Sequence, residues 1–353
     1  MIKPLTLALC LFTVAGLAQT PGSESAVALI KELRKIHTPN GIEVLEPVDI
    51  NGDKQWISIR GKDKANPVLL FIHGGPASPV MPVSWAFQNT WEDYFTVVQW
   101  DQRAAGKNWL TTDTTAVKEH LKAEQIVQDG VAMVNYLCGR MQKEKIIIMG
   151  YSFGARVGIQ LAALIPDKIH AYVGVGQTSP GDPEAYLYKK LMAYAESEKN
   201  QKAIDELKAI APYPRPNGPV ANILVTRKWA RYYNGGWYGK KDLSLYFDLP
   251  MLATEYTPDE VTSMNKSTPW LTRRMMRSGP TTTYETNFKV PVIFMMGVND
   301  LHTPYEPSRK YFGSITSPGK KFISFEYSCH FPFMEEPGRF LVTLVSEVLP
   351  LAR

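Results

Sequence analysis

The run Lys145–Gly154, K-I-I-I-M-G-Y-S-F-G, constrains this chain more than any other stretch. Its three isoleucines and methionine predict a strand buried on both faces. The A-R-V-G-I-Q-L-A-A-L-I that follows has helical character. The junction is therefore strand, sharp turn and helix, with Ser152 at the apex. In a G-x-S-x-G elbow the turn lifts a serine hydroxyl above the sheet and leaves no room for side chains at the flanking glycines, here Gly150 and Gly154. Serine is a weak nucleophile at neutral pH and needs a base, itself oriented by a carboxylate. The rest of the chain must supply both.

The pattern around the elbow says where to look. An N-terminal helix is expected over Ser23–His37. Gly41–Pro47 and Gln55–Arg60 alternate apolar and polar residues about an N-G-D turn at Asn51–Asp53 and predict a β-hairpin. Buried strands are expected at Pro67–Ile72 and Thr96–Trp100 and further strands at Ala171–Gly176, Val290–Met296 and Lys321–Tyr327, with helices at Trp85–Tyr94, Leu121–Met141, from Pro304 and over Gly338–Leu349. Apolar strands alternating with helices imply an α/β protein whose mostly parallel central sheet is flanked by helices on both faces. From Gln177 to Lys289 the rhythm stops. Helical patterns at Glu184–Lys199 and Lys202–Ile210 and a basic, aromatic segment at Arg227–Lys241 mark an inserted helical cap over 177–289. The sheet domain then comprises 19–176 and 290–353.

Loops at the carboxyl ends of parallel strands converge on one edge. Asp300 follows the Val290–Met296 strand in G-V-N-D-L-H-T-P, and His330 follows the Lys321–Tyr327 strand in S-C-H-F-P. Ser152, Asp300 and His330 thus sit just beyond three separate strands, in nucleophile, acid, base order, and are the expected catalytic set. His302 shares the Asp300 loop and reads as a surface or cap-contacting residue. His73 and Asp101 each end a strand and are expected to bond within their own turns. The oxyanion that develops on acyl transfer needs two backbone donors. The Phe153 N–H is one, and the His73-Gly74-Gly75-Pro76 loop offers the other, with Gly75 favoured over Gly74. Nothing in the spacing of His, Cys, Asp and Glu suggests a metal, and this chemistry needs no cofactor.

The blocks H-G-G-P-A (His73–Ala77), D-Q-R-A-A-G-K-N (Asp101–Asn108) and G-Y-S-F-G (Gly150–Gly154) give the chain its family resemblance. It resembles the proline iminopeptidase-like branch of the α/β-hydrolase superfamily, whose blocks read H-G-G-P-G, D-Q-R-G-A-G-K-S and a serine elbow. The resemblance implies an α/β-hydrolase fold and a serine peptidase that removes an N-terminal residue, typically proline, from short peptides. It also implies acidic cap residues holding the free amino group, for which Glu184 and Glu255 are the candidates here. The alternative for each is a solvated helix residue. Ala77 and Ala104 stand where the family has glycine, and Asn108 where it has serine, which leaves the substrate open. An esterase or amidase acting on small acyl substrates is the rival reading, and a non-catalytic binding protein on the same fold a weaker one.

The remaining features narrow the setting. A net charge of +5 without a basic run, 44% hydrophobic and 21% charged residues, fits a globular chain and offers nothing for nucleic acid. The opening M-I-K-P-L-T-L-A-L-C-L-F-T-V-A-G-L-A has the layout of a signal peptide over 1–18, too short for a comfortable membrane span. It predicts an exported protein, periplasmic or extracellular, without membrane integration. Of the cysteines beyond it, Cys138 falls on a helix and Cys329 beside His330, and nothing compels them to pair.

Overall fold

The computed structural model describes residues 23–215, 221–277 and 284–352. The expected signal peptide over 1–18 lies outside them. The elements run α1 (Ser23–Leu33), β1 (Ile42–Ile50), β2 (Asp53–Gly61), β3 (Val68–Ile72), β4 (Thr96–Trp100), α2 (Ala123–Arg140), β5 (Ile146–Tyr151), α3 (Phe153–Leu164) and β6 (Ile169–Val175). Among the described residues five α-helices follow before the sheet resumes: α4 (Pro183–Ser197), α5 (Gln201–Ala209), α6 (Ala221–Tyr232), α7 (Ser244–Asp248) and α8 (Pro258–Arg277). Then come β7 (Val292–Gly297), α9 (Tyr305–Gly313), β8 (Lys320–Phe325), α10 (Pro332–Glu335) and α11 (Pro337–Thr343).

The eight strands form one sheet in the order β1-β2-β4-β3-β5-β6-β7-β8. β1 and β2 pair antiparallel across Asn51 and Gly52, both in the left-handed region, and β2 pairs antiparallel with β4; all later pairings are parallel. Side chains alternate across the sheet, and both faces are covered over its central strands, which explains why β3 is apolar at every position. Leu70, Ile72, Ile146 and Ile148 pack into one core layer with Leu137 of α2 and Leu161 of α3. Leu69, Phe71, Ile147 and Met149 enter the opposite layer with Phe333 of α10 and Phe340 of α11.

Two helical expectations differ from what forms. Trp85–Tyr94 is not an α-helix: Met81–Ala86 and Gln88–Asp93 are separate 3₁₀ turns, broken at Phe87. Conversely, α8 is a helix that hydrophobic periodicity did not reveal, because it is largely polar and contains Pro269. The local signal was at its start. Thr257 and Glu260 form a capping box, in which the Glu260 carboxylate accepts from the Thr257 N–H at 2.8 Å and Thr257 Oγ1 accepts from the Glu260 N–H at 3.3 Å. Pro258 follows at the first helical position, where its missing N–H costs nothing.

Between β6 and β7 the helices have a small core of their own, in which Leu187 and Leu191 of α4 meet Leu207 of α5 and Trp229 of α6. Among the described residues no helix is long and apolar enough to cross a membrane. Cys138 and Cys329 are free thiols, both buried.

Candidate active site

β5 delivers its chain into the elbow with Ser152 at φ 54°, ψ −117°, a conformation that costs a non-glycine residue free energy and that the surroundings must hold. They do so by exclusion. A Cβ on Gly150 would come within 2.6 Å of the Ala155 Cα, and one on Gly154 would overlap the carbonyl oxygens of Ile72 and His73 at the end of β3. The Ser152 N–H donates to the Val175 carbonyl at 2.9 Å, tying the elbow to β6.

Two neighbouring loops bring polar side chains to the serine. Ser152 Oγ lies 3.1 Å from His330 Nε2, and His330 Nδ1 lies 2.8 Å from Asp300 Oδ2. Asp300 is buried and accepts further hydrogen bonds from the His302 N–H at 2.7 Å, the Thr303 N–H at 2.9 Å and the Thr303 hydroxyl at 2.6 Å. A carboxylate this well supplied stays an acceptor, so His330 Nδ1 carries the proton and Nε2 is left to take one from Ser152. The geometry thus provides a hydroxyl, a base within reach of its proton and a buried anion to stabilise the imidazolium.

Ser152 opens onto a cavity of about 470 Å³ whose lining includes Gly75, Phe153, Arg156, Glu184, Arg227 and His302. Phe153 is the first residue of α3, so its N–H has no intrahelical acceptor. Gly74 packs against the nucleophile, since a Cβ there would sit 2.8 Å from that of Ser152, and Gly75, at φ 112°, lines the cavity. Both expected oxyanion donors therefore border the space above the serine.

The two candidate carboxylates part company. Glu184, in the first turn of α4, lines the cavity, but it is already held by a two-pronged ion pair with Arg227 and by the Tyr213 hydroxyl at 2.6 Å. Burial alone would raise its carboxyl; the Arg227 guanidinium and the Tyr213 hydroxyl outweigh this and hold it below the usual range. Glu255 is not at the cavity. It is buried against Arg34, 2.7 Å away, and tethers the residue after α1 to the helical insertion. A cationic partner captured it, which its position in the sequence could not show.

His302 is the residue that sequence reasoning undervalued. Its ring stacks on that of His330 at 5.0 Å and 24°, it lines the cavity, and its Nε2 is buried without a hydrogen-bond partner among the described residues. Burial, reinforced by His330, Arg227 and Arg231, pushes its pKa well below that of a free imidazole, so it stays neutral. Arg227, Tyr213 and Thr303 were also unassigned. The first belongs to the basic, aromatic segment at Arg227–Lys241, the one signal that marked it.

His73 and Asp101 bond within their own turns and also beyond them, His73 to Gln102 and Asp101 to Tyr256. His73 is buried, with Nδ1 2.9 Å from the Gly74 carbonyl and Nε2 accepting from the Gln102 N–H at 3.3 Å; burial lowers its pKa to about 4. Asp101 accepts from the Lys107 N–H at 2.9 Å and from the Tyr256 hydroxyl, and burial raises its pKa to about 7. Ala77 and Ala104 adopt φ 60° and 61°, the left-handed conformation that glycine takes without cost, so the alanines keep the turns and bear the strain. Asn108 donates to the Asp101 carbonyl at 2.8 Å and accepts from the Trp56 N–H at 2.9 Å.

The model of the α/β hydrolase fold family matches residues 67–337. A probable aminopeptidase from Bacillus subtilis (strain 168) is 29% identical over 310 residues, covering 86% of this chain and 95% of that one. A proline iminopeptidase-related protein from Thermus thermophilus superposes with a TM-score of 0.60 at 15% identity, over 88% of this chain and 98% of that one. Proline iminopeptidase from Mycobacterium smegmatis gives 0.60 at 16%, over 87% and 98%.

Proposed function

This chain belongs to the α/β-hydrolase fold family, and from that premise we propose that it is a serine hydrolase releasing an N-terminal residue from short peptides. The observation that carries the reading is the hydrogen-bonded series Ser152–His330–Asp300 at the floor of a cavity with a carboxylate, Glu184, in its wall. His330 takes the proton of Ser152 as its oxygen attacks the scissile carbonyl, and Asp300 stabilises the imidazolium. The Phe153 and Gly75 N–H groups receive the oxyanion. His330 then protonates the leaving amine, and water repeats the sequence to free the acyl group.

Glu184 supports the peptidase form of this reading, because a carboxylate retains acceptor sites beyond the three bonds from Arg227 and Tyr213 and can take an N–H of the substrate's amino group. The similarity to a probable aminopeptidase points the same way. In this reading the helical insertion acts as a cap that limits the length of peptide that enters, and the signal-like opening supports export from the cytoplasm. A second reading, an esterase or amidase on small acyl groups, is favoured by one observation: the wall's carboxylate is already neutralised by Arg227.

A panel of free prolyl and alanyl p-nitroanilides, their N-acetylated forms and p-nitrophenyl esters separates the two. Free aminoacyl amides are expected to be turned over best. Better turnover of blocked amides or simple esters rejects the aminopeptidase. Absence of fluorophosphonate labelling, or labelling that survives Ser152→Ala, rejects the serine hydrolase itself.

A further inference from the structure

The loop that carries Asp300 and the loop that carries His330 are both fastened to one short piece of the helical insertion. The Leu301 N–H donates to the Gly235 carbonyl at 3.0 Å, and the His330 N–H points at the Gly236 carbonyl at 3.4 Å. The Cys329 thiol donates to the Asn234 carbonyl at 2.8 Å, and the Tyr238 N–H donates to Glu335 Oε1 at 2.6 Å. Glu335 in turn accepts from the N–H groups of Cys329 and Phe331, on either side of His330, at 3.0 and 2.8 Å. Trp237 packs on the Phe331 ring at 5.4 Å. Within Asn234–Tyr238, Gly235 therefore meets the residue after the acid, Gly236 the N–H of the base itself, Asn234 and Trp237 the residues on either side of the base, and Tyr238 the base loop through Glu335.

The fit leaves little slack. Leu301, directly after Asp300, is 3% exposed and is buried in the insertion's own core with Leu187, Leu191 and Trp229 rather than in the sheet domain. A Cβ on Gly235 would overlap the Leu301 side chain, whereas one on Gly236 would stand 3.1 Å from Arg231 and 3.3 Å from His302 Nε2. Asn234 follows within two residues of α6, the helix bearing Arg227. The wall that holds Glu184 and the segment that grips the acid and base loops are thus one continuous piece.

We infer that Asn234–Tyr238 is a positioning segment: it sets the Asp300–His330 pair from the insertion side, with Leu301 as its anchor. This rests on the serine-hydrolase reading of the site. Packed interiors shift between discrete arrangements rather than flexing smoothly, so displacing the anchor moves Asp300 relative to His330. The imidazolium then loses carboxylate stabilisation, so His330 is a poorer general base and proton abstraction from Ser152 slows.

The test compares two equivalent truncations in the same small core, Leu301→Ala and Leu191→Ala, in the full chain. Leu191 is fully buried in that core and is not among the segment's contacts with either catalytic loop. The readout is the second-order rate of fluorophosphonate labelling of Ser152 as a function of pH, with thermal unfolding measured alongside. Both variants are expected to unfold at lower temperature. Leu301→Ala alone should slow labelling, by about tenfold or more on the scale of misplaced catalytic groups, and should change the shape of its pH profile. Gly235→Ala should act in the same direction and Gly236→Ala more weakly. Indistinguishable labelling rates and pH profiles for Leu301→Ala and Leu191→Ala would overturn the positioning role while leaving the hydrolase reading intact. A wild-type protein that is not labelled removes both.

Discussion

The floor of the cavity and its wall hold polar groups in place by different means. On the floor, Ser152 is fixed by the backbone: its turn leaves no space for a Cβ at Gly150 or Gly154, and its N–H is tied to β6. In the wall, Glu184 is fixed by side chains alone, through Arg227 and Tyr213. Backbone constraint is specified by short local patterns, whereas a partly exposed side-chain ion pair such as Glu184–Arg227 can be exchanged at less cost to the fold than a buried one. The floor is therefore where variants should abolish chemistry, and the wall where they should redirect it.

The largest effect expected from this contrast is at the floor. Asp300→Asn should lower kcat by about 10⁴-fold through loss of the correct imidazole tautomer, with the fold preserved, as measured on whichever p-nitroanilide or ester is turned over best. Retention of activity within tenfold would mean that the floor is not the chemical centre.

The next concerns the seam between the two regions, where Asp101, after β4, bonds Tyr256 of the insertion. Its folded pKa is raised to about 7, so folding favours the neutral acid. The stability this contributes is complete below the unfolded value of about 4 and is lost as pH rises through about 7, for up to about 4 kcal/mol. Denaturant unfolding of the wild type should show this slope between those limits, and Asp101→Asn should flatten it. A wild-type curve without the slope would place an ionised carboxylate in the seam.

The two glutamates of the insertion sharpen the comparison further. Glu255→Gln should cost about 3 kcal/mol of stability, because it deprives the buried Arg34 of its close partner, while kcat/KM of the folded protein stays unchanged. Glu184→Gln should do the converse. It should raise KM about tenfold for substrates with a free amino group, the worth of one charge-assisted hydrogen bond, and leave N-acetylated substrates unaffected. An equal effect on both substrate types would remove Glu184 from amine recognition. The smallest effect is expected at Ala104→Gly, which relieves left-handed strain at φ 61° but loosens the unfolded chain. The two terms nearly offset, for a net gain below about 1 kcal/mol in thermal unfolding.

Much of the fold was legible because its signals are local. The continuous apolar runs of β3, β5 and β7 state that both faces are covered, and Asn51-Gly52 states the hairpin. The helical insertion was less legible. α8 is polar enough that only its capping box announces it, and the stretch Trp85–Tyr94 has helical apolar spacing yet forms 3₁₀ turns under tertiary packing.

The sequence by itself determined that a serine, an aspartate and a histidine each follow a separate strand, because strand, turn and helix are written in contiguous residues. Only the tertiary structure decided that their atoms meet at 3.1 and 2.8 Å, that Glu184 faces the cavity while Glu255 pairs with Arg34, and that His302 stacks on His330. The physical reason is range. A turn is selected by the residues within it, but a buried charge goes to whichever partner the fold brings near. Arg34 and Glu255 stand 221 residues apart along the chain, and nothing local to either names the other.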